Sequence, residues 1–293
     1  MELDADRIRK NVRQLGKALK KVAKQPSPEK IHDLRTHARR FEATLEALSL
    51  DSKRNERRLL RRVGDIRKRA GKIRDLDVHT AHLSMLHIRE EERDCGVQLF
   101  EYLGAARYKR AARFVALMRK YKTVIRRTSS RIEKFLDQND QSSSQSEAVK
   151  NAIASALSLT SELATPANLN RGNLHPFRLK IKALLHYILQ MMSNSGQEKF
   201  AEALVKSKDA IGEWHDWEEL IAIAKKVLTH EPNCLLLREL RAISERKYEV
   251  ALSITNKMRK HYLSSPDGSA KRSPRGKNGP GRPALKVLPT IAA

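Results

Sequence analysis

The chain has 293 residues, 40% hydrophobic and 32% charged, so it can bury a sizeable core beneath a heavily charged surface. Its 59 Lys and Arg outnumber its 34 Asp and Glu, and the net charge of +25 favours a partner that is a polyanion, such as nucleic acid, polyphosphate, an acidic protein or an anionic membrane. Aromatic residues make up only 5%, which argues against stacking of single-stranded bases on exposed rings.

Apolar residues recur mainly at three- and four-residue spacing, which predicts an all-α protein. In the first half, helices are expected at about residues 5–23, 28–48, 52–88 and 90–137. Pro28 follows Ser27 at the first position of the second helix, where its missing N–H does no harm. Gly71 and Gly104 are the points at which the two longer helices are expected to break.

Changes in composition divide the chain into segments. Residues 138–146 are polar and rich in serine, and they predict a linker between a first helical half at 1–137 and a second at 147–263. Residues 264–293 hold five of the ten prolines and four of the twelve glycines, together with several basic residues, and predict a disordered basic tail.

The pattern apolar-His-x-x-Arg-x-x-x-[Arg/Lys] occurs once in each half. Its members are His32, Arg35 and Arg39 in the first half and His175, Arg178 and Lys182 in the second. At about 100° per helical residue, each set lies on one face of its helix, beside the apolar stripe. Arg40 follows the first set and His186 joins the face of the second. Each helix therefore offers a row of cations suited to an anion.

A second pattern, built around a glycine, also occurs in both halves. Arg67, Gly71 and Arg74 are matched by Lys208, Gly212 and His215, and an aspartate follows each set. The offset is 141 residues here and 143 for the histidine pattern (from Gly71 to Gly212, and from His32 to His175). Two patterns in the same order at nearly one offset predict an internal duplication. A glycine in a helix suits either close helix approach or backbone access for an anion.

The four motifs together resemble the CHAD domain, the conserved-histidine α-helical domain, over about residues 5–262. The matching segments are His32–Arg35 with Arg39 and Arg40, Gly71–Asp77, His175–Arg178 with Lys182, and Gly212–Asp216. The resemblance implies two four-helix bundles related by pseudo-twofold symmetry, with a basic groove between them. It also implies non-catalytic binding of inorganic polyphosphate and, for some members, association with polyphosphate granules.

The predicted polyphosphate-binding residues are the cations and histidines of the four motifs: His32, Arg35, Arg39, Arg40, Arg67, Arg74, His175, Arg178, Lys182, His186, Lys208 and His215. The sequence departs from the family where Glu42 replaces a frequent basic residue, and where Ala183 and Leu185 replace frequent arginines. We therefore expect the second half to bind more weakly than the first. The following aspartates, Asp75 and Asp216, are expected to orient a neighbouring cation or to cap a helix.

Other functions receive less support from the sequence. A nucleic-acid-binding protein is the main alternative, and it would use the basic surface and the tail, where Arg275–Lys277 and Gly281–Pro283 faintly resemble a minor-groove hook. No P-loop and no carboxylate cluster for Mg²⁺ occurs, so we expect no enzyme and no cofactor. His79 and His82 lack an acidic or cysteine partner at helical spacing, so we expect no metal.

Cellular location is predicted from what the chain lacks. Cys95 and Cys234 lie far apart without metal-type spacing, which predicts no disulfide framework and a reducing compartment. No apolar run follows Met1, and none approaches membrane-spanning length. We therefore expect a cytoplasmic protein that does not insert into a membrane.

Overall fold

The computed structural model describes residues 5–47, 54–138, 142–191, 195–229 and 234–264. Helices account for nearly all of these residues and none of them forms a strand, which confirms the prediction of an all-α protein. The predicted tail, apart from Ser264, lies outside the described residues. No helix in the described ranges is long and apolar enough to cross a membrane.

Eight α-helices and one 3-10 helix make up the described chain. The α-helices are α1 (Ala5–Lys24), α2 (Pro28–Ala47), α3 (Arg54–Ser84), α4 (Arg93–Gln138), α5 (Ser142–Ala164), α6 (Arg171–Met191), α7 (Ser195–Val227) and α8 (Leu235–Tyr262), and the 3-10 helix is Glu90–Glu92. Helix α2 begins at Pro28 as predicted, and the Ser27 hydroxyl accepts the backbone N–H of Lys30 at 3.4 Å.

The expected glycine breaks are wrong. Helix α3 passes through Gly71 and helix α4 passes through Gly104 without interruption. A glycine within a helix costs only about 1 kcal/mol relative to alanine, which the packing of a long helix offsets. Helix α4 ends at Gln138 and α5 begins at Ser142, so helix occupies part of the predicted linker at 138–146. The division of the chain at that point stays a prediction.

The chain folds into two compact units. The first unit comprises Met1–Asn151 and Glu219–Leu240, and the second comprises Ala152–Glu218 and Arg241–Ala293. Helices α7 and α8 therefore each contribute to both units.

The core of the first unit is built from one face each of helices α1 to α4. On α2 the predicted apolar face is confirmed where the side chains are described, because Ile31, Leu34, Ala38 and Phe41 are fully buried. Leu45 and Leu48, predicted to continue this face, have side chains outside the described set. The four buried residues of α2 pack with core residues of the other three helices: Leu15 and Val22 of α1, Ile66 and Ile73 of α3, and Phe114 and Met118 of α4. The orientation of α2 that buries this face leaves the neighbouring His32 and Arg39 exposed.

In the core of the second unit, helix α6 likewise buries one apolar face. Leu174, Phe177 and Ile181 are buried at three- and four-residue spacing. They pack in one cluster with Leu204, Ile211 and Trp214 of α7 and with Ala251 and Met258 of α8. Asn170 fixes the start of α6, because its side-chain oxygen accepts the backbone N–H groups of Gly172 and Asn173 at 2.9 and 3.2 Å. His175 and Arg178 then stand beside the buried stripe and are half-buried.

Candidate anion-binding site

In the first unit, the guanidinium of Arg35 on α2 lies against α3 at Gly71. A Cβ added to Gly71 would stand 3.8 Å from the Nε, Cζ and Nη2 atoms of Arg35. These equal distances place the flat face of the guanidinium over the glycine. Asp75, one turn further along α3, has its Oδ1 3.7 Å from Arg35 Nη1, and the Arg35 side chain is 25% exposed. The aspartate thus orients the arginine, as expected for Asp75, while part of the cation still faces solvent.

In the second unit, Arg178 on α6 makes the corresponding contact with Gly212 on α7. A Cβ at Gly212 would stand 2.6 Å from Nη2, 2.9 Å from Nε and 3.0 Å from Cζ of Arg178. Real Cβ contacts of that length essentially never occur, so Arg178 would have to move aside for any larger residue. The Nε of Arg178 also donates to the backbone carbonyl of Lys208 at 3.2 Å. Glycine thus permits the close approach of this cation to the helix.

The two contacts join the same pattern positions in both halves of the sequence. The histidine pattern supplies the arginine and the glycine pattern supplies the surface on which it rests, with sequence offsets of 143 and 141 residues. The two motifs of each half are therefore parts of one arrangement within each unit.

The predicted histidines have different surroundings. His32 is exposed on α2. In the second unit, His175 of α6 and His215 of α7 have ring centroids 3.9 Å apart at an interplanar angle of 40°. Two imidazolium ions at this distance would repel each other, and a bound anion would relieve that repulsion. The structure thus brings these two predicted residues together.

Burial raises the pKa of Asp75, and the neighbouring Arg35 charge opposes that rise. Glu219 raises the pKa further, while His79 and Arg110 lower it. The carboxylate is therefore stabilised mainly by its arginine neighbour, which ties the charge of Asp75 to the position of Arg35.

Besides Arg35, two further predicted binding residues form ion pairs with acidic side chains. Arg67 of α3 places its Nε 2.6 Å from Oε2 of Glu42 on α2, and the two side chains are 29% and 15% exposed. Lys208 places its Nζ 2.8 Å from Oδ1 of the adjacent Asp209. Glu42, one of the positions at which the sequence departs from the family pattern, thus neutralises a cation that the pattern predicts to bind.

The remaining predicted residues lie on the same helices. Arg39 and Arg40 are exposed on α2, Arg74 is half-buried on α3, and Lys182 is half-buried on α6. His186 lies within α6, but its side chain is outside the described set. All of these residues lie on the helices that carry the four motifs. That they bind one anion together stays a prediction.

The sequence did not separate structural arginines from surface ones. Arg107 places its Nε 2.5 Å from Oδ1 of buried Asp77 and donates from Nη2 to the Pro26 carbonyl at 3.0 Å. The signal for this role is Asp77, an acidic residue at a buried helical position. In the second unit, Arg171 pairs with Glu218 and Glu245 and stacks on Tyr248, with 4.4 Å between its Cζ and the ring centroid.

His79 and His82 are not assembled with metal-binding partners in the described chain. The Nε2 of buried His79 lies 3.6 Å from Oε2 of Glu219. Within the described ranges, no group of three His, Cys, Asp or Glu side chains is placed to hold a metal ion.

Fold and site together define an all-α protein in which basic helix faces rest on glycine-containing helices. The family model of the CHAD domain matches residues 6–225, and the chain belongs to this family. The resemblance read from the four motifs is thereby confirmed.

Two solved structures share the fold. One is the crystal structure of the CHAD domain from the plant Ricinus communis, with 12% identity and a TM-score of 0.65 over 87% of this chain and 89% of that one. The other is PptA from Streptomyces chartreusis, with 14% identity and a TM-score of 0.60 over 87% of this chain and 97% of that one. No curated protein sequence matches the chain.

Proposed function

We propose that this protein binds inorganic polyphosphate without catalysing a reaction on it. The observation that carries the proposal is the repeated contact in which Arg35 lies over Gly71 and Arg178 lies over Gly212. Each contact holds a guanidinium in place at the edge of a basic helix face. Membership of the CHAD family supports the choice of polyphosphate, because the family resemblance implies this ligand.

The chemistry of the site suits a chain of phosphates. Polyphosphate has no bases or sugars, so neither aromatic platforms nor base-reading side chains are needed. An arginine fork pairs with two phosphate oxygens at once. An arginine side chain carries about 2 kcal/mol of rotamer entropy. Because Asp75 and the Lys208 carbonyl already orient Arg35 and Arg178, part of that entropy is lost on folding, before the ligand arrives.

We further propose that the two halves are four-helix bundles related by duplication, with a basic groove between them lined by the twelve predicted residues. The unequal charge of the two halves makes the His32 side the stronger binder. In the cell, such a protein would act in the cytoplasm, in association with polyphosphate granules.

The proposal is tested by removing the motif arginines. We expect the triple variant Arg35→Gln/Arg39→Gln/Arg178→Gln to bind long-chain polyphosphate more than about tenfold more weakly. The loss of a single charge-assisted hydrogen bond of ~1.5 kcal/mol already corresponds to that factor. Isothermal titration calorimetry gives the affinity, and circular dichroism checks that the helices remain.

The control removes the same charge elsewhere. Arg61, Arg89 and Arg246 are exposed and lie outside the four motifs. We expect Arg61→Gln/Arg89→Gln/Arg246→Gln to retain most of the affinity. Equal losses in the two triple variants would mean that only net charge matters, and would contradict the site assignment.

Nucleic-acid binding is the second candidate, favoured by the net charge of +25 and by the basic residues after Ser264. Competition between duplex DNA and polyphosphate separates the two, measured on the full chain and on a chain ending at Ser264. If DNA displaces polyphosphate from the full chain but not from the chain ending at Ser264, DNA binding belongs to the tail. Release of phosphate from polyphosphate in the presence of Mg²⁺ would contradict the non-catalytic proposal.

A further inference from the structure

We propose that the first unit holds a second anion site, for a phosphate group, in a pocket between α1 and α2 on the side of α2 away from Arg35. The pocket has a volume of about 230 Å³, whereas a site for one water molecule needs roughly 10–15 Å³ on the same measure. Its lining residues are Gln14, Lys17, Ala18 and Lys21 of α1 and Lys30, Asp33 and His37 of α2. This site is separate from the contact of Arg35 with Gly71, on which the proposed function rests.

Helix geometry explains how the pocket forms. Lys30, Asp33 and His37 follow one another at three- and four-residue spacing on α2, as do Gln14, Lys17 and Lys21 on α1. At about 100° per residue, Asp33 and His37 point roughly 100–140° to one side of His32. Arg35 and Arg39 stand up to about 60° to the other side. The same helix therefore presents one polar face to α1 and a different one to α3.

The residues that line the pocket carry a net positive charge, which favours an anion as the ligand. Three lysines stand around the pocket with one carboxylate, that of Asp33. In the described part of the chain, none of the three lysines forms a salt bridge with an acidic side chain, and Lys30 Nζ donates to the neutral Gln25 Oε1 at 2.9 Å. Ammonium groups that share a cleft repel one another, and a bound phosphate would relieve this repulsion while accepting their hydrogen bonds.

His37 lines the pocket with an imidazole whose protonated form a bound anion would favour. Its Nδ1 is buried and has no hydrogen-bond partner among the described residues. Burial lowers the pKa of His37, and the charges of Arg40 on α2 and Lys21 on α1 lower it further, while Asp33 opposes them. A phosphate beside the ring favours the imidazolium form. Binding is therefore expected to raise the pKa of His37 and to be accompanied by proton uptake.

The test follows the His37 ring of the full-length protein by NMR during a pH titration. We expect saturating tripolyphosphate to move the His37 titration to higher pH. Orthophosphate is a second probe that distinguishes two sources of the phosphate group. If the ligand is free phosphate, orthophosphate should move the His37 titration as far as tripolyphosphate does. If the ligand is the end of a phosphate chain, orthophosphate should move it only weakly. No movement with either anion would overturn the proposal, and this measurement needs no variant.

Paired variants locate the effect. Lys17→Gln/Lys21→Gln should abolish the movement of the His37 titration. Lys109→Gln/Lys120→Gln removes equal charge from exposed positions of α4 and should preserve it. Arg35→Gln should also preserve it, so failure of this site and failure of the polyphosphate proposal can be told apart. Equal effects of the two lysine pairs would overturn the proposal.

A different observation supports a second inference, concerning the two cysteines. Cys95 at the start of α4 and Cys234 just before α8 are both buried in the first unit, with their sulfurs 3.4 Å apart. Sequence spacing predicted no disulfide framework, but the fold brings the two thiols into contact. We infer that a small disulfide such as oxidised glutathione can convert them into an intramolecular disulfide.

The reaction is an exchange of two electrons. One thiolate attacks the glutathione disulfide and releases one glutathione, and the second thiolate then displaces the other. The two thiol protons end on the two glutathione molecules. Mass spectrometry of the full chain after incubation should show the loss of two hydrogens, with no thiol left to alkylate. The Cys95→Ser variant should retain a mixed disulfide with glutathione. Persistence of both alkylatable thiols, or of mixed disulfides in the native protein, would contradict the inference.

Discussion

At the scale of single residues, Gly71 and Gly212 show that one sequence pattern can meet two different steric demands. Both lie beneath an arginine, but a Cβ would find ordinary contact at 3.8 Å over Gly71 and a clash at 2.6 Å over Gly212. The close approach of helix and side chain, one of the two explanations the sequence offered, thus accounts for Gly212. Gly71 is the more tolerant of the two positions.

This difference predicts opposite outcomes for two alanine variants. Gly71→Ala should stabilise the protein by about 0.5–1 kcal/mol, through helix propensity, and leave polyphosphate affinity unchanged. Gly212→Ala should displace Arg178, whose flexible guanidinium can move without unfolding the helix, and so weaken binding more than stability. Urea denaturation and calorimetry measure both quantities. A loss of affinity in Gly71→Ala alone would contradict this account of the contacts.

Asp75 provides a prediction about pH. Its pKa is raised by burial, so the folded state holds more protons than the unfolded state between the ordinary value of 3.8 and the raised one. The contribution of Asp75 to stability therefore increases as pH falls through that window. Because Arg35 lowers the pKa, Arg35→Gln should raise it further, as carboxyl carbon chemical shifts would show. An unchanged titration of Asp75 in that variant would mean that the two groups are not coupled.

At the scale of elements, helices α2 and α3 are joined by an ion pair that involves Arg67, one of the predicted binding residues. Glu42 and Arg67 meet at 2.6 Å in a partly buried position, whereas Arg35 and Asp75 meet at 3.7 Å nearer to solvent. The stronger pair thus removes one predicted binding cation from the first half. We therefore expect the His32 side to offer fewer available charges to a ligand than its sequence suggests.

Glu42→Gln should make Arg67 available to a ligand. The change removes the negative partner of Arg67, which we expect to cost ~1–3 kcal/mol of stability and to increase polyphosphate affinity. Glu101→Gln, at an exposed acidic position of α4, provides a control with the same change in net charge. Greater affinity in both variants alike would point to net charge, and lower affinity in Glu42→Gln would contradict a masking role for Glu42.

The elements were predictable where periodicity and local chemistry act alone. Apolar spacing predicted the buried face of α2, and Pro28 marked its first residue. Gly71 was misread as a break because a helical glycine costs only about 1 kcal/mol, which the packing of α3 against helices distant in sequence offsets. The roles of Arg107 and Arg67 were missed because their partners Asp77 and Glu42 lie 30 and 25 residues away. Pairings between helices depend on packing, which a single sequence does not display.

At the scale of the whole molecule, the net charge of +25 governs how the protein meets any polyanion. Binding that neutralises phosphates releases counterions, so the affinity should fall steeply as salt rises. Charge alone, however, would treat all polyanions alike. We expect the oriented arginines and the close pair of histidines to favour phosphate chains, because polyphosphate presents its charged groups in an uninterrupted chain, without sugars between them, to neighbouring arginine forks.

The most direct test is therefore the affinity of the full chain for long-chain polyphosphate and for heparin, compared at equal total charge and moderate salt. The account predicts clearly tighter binding of polyphosphate, with a difference that remains when salt is raised, since added salt weakens the general attraction to both polymers. Equal affinities for the phosphate and sulfate polymers would contradict the claim that this protein is built to bind polyphosphate.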